Sequence, residues 1–202
     1  HEQYRLAEGL TLTPAEARWV RFRRADTQWR AAAAADHADA TKIDAARRVL
    51  LELYNADRRE AERDQVWAEA AESLGDLHWD RRYTQNWQAA WPYYEQALNW
   101  WAGAREVEQA RGRYLHIVWT LVRQSRGEYL NHEYYLHQVP QPVLENAVTI
   151  ARTPDDRSRA HLLLALRLRN AGDVQQARRI PALFEAALAG GKATDWYDDA
   201  LF

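Results

Sequence analysis

The 202-residue chain contains no cysteine, which rules out disulfides and thiol chemistry and leaves the compartment open. Lysine is almost missing too. Only Lys42 and Lys192 stand among the 27 basic residues, and the rest are arginine. Arginine and the abundant alanine both have GC-rich codons, so a high-GC bacterial source is expected. Charge of one sign is lacking: the net charge of -2 gives no electrostatic case for nucleic acid or an anionic membrane. No apolar run approaches the ~20 residues of a membrane span, and no signal peptide is visible. Neither a Gly-rich phosphate loop nor a GxSxG elbow occurs.

Hydrophobic residues make up 47% and charged residues 28%, the composition of an ordinary soluble protein. That length can bury a sizeable core or form a run of stacked helix pairs. Phenylalanine is scarce at three, whereas Trp and Tyr number ten each. Large aromatics with a polar edge suit helix–helix seams near the surface, with the ring buried and the N–H or O–H wet.

Helix signals dominate the chain. The opening HEQYRLAEG reads as the tail of a helix, closed by Gly9. Thr13-Pro14-Ala15-Glu16 is a helix start, with Thr as N-cap, Pro at the first position and Glu completing a capping box. Ala15, Trp19, Phe22 and Trp29 then share one face. The arginines of RWVRFRR spread around this helix and form no single stripe, so they read as solvated partners of Glu16 and Asp26. Further helices are expected over 43–54, from about 60 to 79, 87–101, 107–124, 142–151, 156–170 and 174–188. Pro92 is expected to delay the regular part of the 87–101 helix, and Pro181 to interrupt the last. A further helix starts near Asp195. Both chain ends read as cut from a longer protein.

Two stretches carry a repeat signal, 66–101 and 157–188. In the first, Leu74-Gly75 is a close-packing pair, answered by Ala90, Tyr94, Ala97 and Leu98 on the second helix. In the second, Leu164-Ala165 and Leu168 lead to the Gly172-Asp173 turn, then Ala177, Phe184, Ala187 and Leu188. Small residues let the partner helix approach, and large ones fill the groove between pairs. These units resemble tetratricopeptide repeats, whose period is about 34 residues, each with three extra residues. The resemblance implies an all-α fold, an irregular tetratricopeptide-like superhelix (solenoid) of antiparallel helix pairs, drawn here as one domain from 1 to 202.

A second resemblance spans the chain. LELYNADRREAERDQVWAEAAESLGD, AWPYYEQALNWWAG and TDWYDDALF are similar to the helical region preceding the macroglobulin domains of large bacterial α2-macroglobulin-like proteins. It implies an accessory segment of a cell-envelope or periplasmic protein. The thioester of that family needs a Cys and is excluded here.

In tetratricopeptide arrays the first helix of each pair lines a concave groove. With Leu74-Gly75 facing inward, Glu69, Glu72, Asp76, Trp79 and Asp80 fall on the groove side, and Arg159, Leu162, Leu166, Arg169 and Asn170 match them in the later unit. The expectation is a groove acidic at one end and basic at the other, open to a protein or peptide partner or to neighbouring domains of the same chain. The Lys and Asn that hold a terminal carboxylate in the chaperone-tail-binding subfamily are missing at the matched positions.

No catalytic, metal or cofactor site is expected. His132 and His137 in HEYYLH stand five apart, where a helical zinc motif needs four. His37, His78, His116 and His161 are isolated, and His161 reads as a hydrogen-bonded, half-buried residue. Asp155-Asp156 suits a helix start, and Asp198-Asp199 an exposed face. The alternative function is an α-helical enzyme or carbohydrate-binding protein using the aromatic-rich segment 125–142.

Overall fold

The computed structural model describes residues 11–35, 37–56, 59–80, 85–122 and 135–201, and among these it is all-helical, with no strand. The chain divides into two compact units, His1–Gly103 and Ala104–Phe202, where the sequence suggested one domain. No helix among the described residues is long and apolar enough to cross a membrane.

Among the described residues the first unit holds four long helices: α1 (Pro14–Ala34), α2 (Ala40–Ala56), α3 (Gln65–Trp79) and α4 (Trp87–Gly103). The Thr13 cap forms as its residues dictate. The Thr13 hydroxyl accepts from the Glu16 N–H, and the Glu16 carboxylate accepts from the Thr13 N–H at 2.8 Å. α2 starts earlier than expected, at Ala40. The single helix expected from about 60 is split. A 3-10 turn covers Glu60–Glu62, and Asp64 then caps α3 by accepting from the Trp67 N–H at 2.8 Å. α4 runs unbroken from Trp87 through Pro92, which corrects the expected delay. Only one backbone hydrogen bond is lost that close to a helix start, and Trp87 and Trp91 stack across the same turn at 5.4 Å.

Consecutive helices pack as hairpins. Arg21 meets Glu52 and Gln28 meets Lys42, so α1 and α2 are antiparallel. Trp79 meets Trp87, and Arg63, just before α3, meets Gln96, so α3 and α4 are antiparallel as well. α3 also packs on α2 and on α1. One apolar cluster joins Phe22, Ala25, Trp29 and Ala33 of α1, Ile43, Ala46, Leu50 and Leu53 of α2, and Val66, Ala70, Leu74 and Leu77 of α3. Gly75 lets α4 come close: a Cβ there would lie 2.7 Å from the Tyr94 ring.

Aromatic rings form the seams. Tyr54 stacks on Trp67 at 5.4 Å, the Arg63 guanidinium lies 4.4 Å over Trp67, and Tyr93 meets Tyr54 edge-on and stacks on His78. Trp67 donates to the Tyr54 carbonyl, and Trp100 to that of Arg63.

The second unit contains α5 (Ala110–Leu121), α6 (Gln141–Ile150), α7 (Pro154–Ala171), α8 (Val174–Ala177), α9 (Ile180–Leu188) and α10 (Tyr197–Leu201). Thr153 caps α7, with Asp155 and Asp156 in its first turn. Gly172 ends it in the left-handed region at φ 67°, as the turn residue should. The expected interruption by Pro181 is real: α8 stops at Ala177 and α9 restarts at Ile180. α7 packs on α6 and α9, and the Ser158 hydroxyl ties α7 to the Ala187 carbonyl at 2.6 Å. His161 is half-buried and bonds the Arg157 carbonyl. Asp198 and Asp199 are exposed on α10. The opening HEQYRLAEG, and Tyr129, His132 and Tyr134 of the aromatic segment, lie outside the described residues. In the remainder of that segment Leu136 and Val139 are buried and His137 is exposed.

Candidate functional site

α3 carries three carboxylates at 69, 72 and 76, on a helix otherwise made mostly of Ala, Leu, Trp and Gly. The structure buries them. Every residue from Val66 to Leu77 is buried, and Glu69, Glu72 and Asp76 are exposed by only 4%, 2% and 7%. The expected groove side of α3 is therefore no open surface, and Trp79 is buried with it. A buried carboxylate costs free energy unless charge and hydrogen bonds meet it, and for Asp76 neighbouring helices supply both.

Asp76 is the centre of that network. One of its oxygens accepts from the Arg30 guanidinium of α1 at 2.6 Å, and the other from the Tyr94 hydroxyl of α4 at 2.7 Å. Arg30 also donates to Asp26, one turn back, at 2.9 Å. Ser73 closes the circuit: it accepts from the Trp29 indole and donates to Asp26, both at 2.8 Å. The Arg30 guanidinium lies 4.6 Å over the Trp29 ring. Glu69 accepts from Gln65 at 3.0 Å.

The electrostatics follow from these contacts. Burial works to lower the Arg30 pKa, but Asp76 and Asp26 outweigh it and hold the pKa above the ordinary value. Burial, with the Asp76 charge behind it, pushes the Tyr94 phenol well above its ordinary range. The side chains are thus fixed as a charged Arg30 and a neutral Tyr94, both donating to Asp76. This arrangement clamps three helices together.

The matched residues of α7 do not form one surface either. The Arg159 guanidinium is half-buried between Trp119 at 4.5 Å and Trp196 at 4.4 Å. Leu162 is buried in a cluster with Ala187 and Ala200, and Leu166 packs against it with Phe184. Arg169 and Asn170 are exposed in the last turn, and Asp80 is half-exposed beyond α3. Five of the ten groove candidates are thus buried: Glu69, Glu72, Asp76, Trp79 and Leu162. The error was to leave one face of each first helix open, whereas α3 is enclosed. Arginines of α1 do pair with Asp26, as expected, but Asp26 is buried, and the reach of Arg30 to Asp76 and the role of Ser73 were not anticipated. The available signal was three acids on a helix apolar nearly all round, which require a cation and donors nearby.

An open concavity does occur elsewhere in the first unit. A groove of about 570 Å³ runs between α1 and α2, lined by Leu12, Arg21, Arg24, Gln28, Ala45 and Val49. Arg21 pairs with Glu52, both largely exposed, and Gln28 donates to the Lys42 carbonyl at 3.3 Å. No protein-family model, no curated protein and no solved structure matches this chain.

Proposed function

We propose that this chain is a non-enzymatic protein–protein interaction or scaffold segment, an irregular tetratricopeptide-like solenoid within a larger bacterial cell-envelope protein. The observation that carries the reading is that helices two apart in the chain run in the same sense. In the first unit Arg18 pairs with Asp64 and Arg30 with Asp76, so α1 and α3 run parallel with residues 46 apart in contact. In the second unit Gln141 bonds Gln176 and Glu145 bonds Arg179, which sets α6 parallel to the start of the next second helix at separations of 35 and 34. Parallel first helices and parallel second helices are what successive stacked pairs produce, and the shorter spacing is close to the tetratricopeptide period of about 34. Buried charge favours scaffold over catalyst, because the Asp26–Arg30–Asp76–Tyr94 network joins helices. The envelope assignment rests on the sequence resemblance alone.

The test is capture from an envelope extract followed by reconstitution with the purified partner. The expected result is saturable binding by calorimetry, weakened by Arg169→Glu at the exposed end of α7. Captured proteins that do not rebind once purified would sink the reading.

A further inference from the structure

We draw no further inference here: the strongest candidate, the groove of about 570 Å³ between α1 and α2 lined by Leu12, Arg21, Arg24, Gln28, Ala45 and Val49, carries nothing, because Arg21 already pairs with Glu52 and nothing in the structure shows what covers the groove.

Discussion

Replacing Asp76 with alanine separates a helix clamp from a ligand-facing acid. Asp76 accepts from Arg30 and from Tyr94, and its side chain is only 6% exposed. In Asp76→Ala the Tyr94 hydroxyl, on a fully buried residue, loses its acceptor, which costs about 1–3 kcal/mol. The Arg30 side chain is 45% exposed and keeps Asp26, so solvent screening limits its loss to about 0–1 kcal/mol. The expected total is about 1–4 kcal/mol, and for a chain of this size that lowers Tm by about 2–16 °C. Calorimetry or far-UV circular dichroism reads the shift directly. Tyr94→Phe alone should cost less, because Asp76 then retains Arg30. The double variant should show a coupling of about 0.5–3 kcal/mol. A cost below about 0.5 kcal/mol for Asp76→Ala, the size of a surface change, would refute the buried-network account and reopen α3 as a binding face.

Other perturbations act on separate parts of the structure. Gly75→Ala places a methyl 2.7 Å from the Tyr94 ring and should destabilise by about 1–3 kcal/mol through overpacking, measurable by urea unfolding. His78 has its pKa lowered by burial and by Arg47. Its contribution is therefore fully present above its ordinary value of 6.5 and is lost as pH falls through the folded pKa. The Tm should decline below pH 6.5, less steeply in His78→Gln. Tyr94 has the opposite sign, being held neutral above its ordinary 10. Stability should fall as pH rises past 10, and difference absorbance should show one tyrosine ionising only on unfolding. Gly172→Ala, at φ 67° with open space around it, should cost about 1 kcal/mol from backbone strain alone.

The helices were legible in the sequence because their signals are local. Thr13-Pro14-Ala15-Glu16 carries its own cap, Gly172 its own left-handed turn, and Pro181 its own break. Leu74-Gly75 and Tyr94 were legible as a close approach because a small residue facing a large one at helical spacing has few other uses. Pro92 misled because a proline's effect depends on its distance from the helix start, and that start was uncertain by one turn. The groove failed for a different reason. Helical periodicity says which residues share a face, but not which faces neighbouring helices cover. Glu69, Glu72 and Asp76 looked solvent-facing because they are charged, and Asp76 is met by Arg30 and Tyr94, held on two other helices. The α1–α2 groove was invisible for the same reason, since its walls come from two helices whose mutual register no local signal specifies.

The lack of cysteine makes the decisive measurement clean, since any introduced pair is the only pair of thiols. Arg18→Cys with Asp64→Cys sits where α1 and the start of α3 touch, at 3.2 Å between the native side chains. Arg30→Cys with Asp64→Cys moves one partner twelve residues along α1, about 18 Å of helix. Treated with a short bismaleimide, the first pair should cross-link rapidly in the folded chain and the second should not. Equal rates, or a faster second pair, would contradict the parallel register of α1 and α3 and the stacked helix pairs proposed from it.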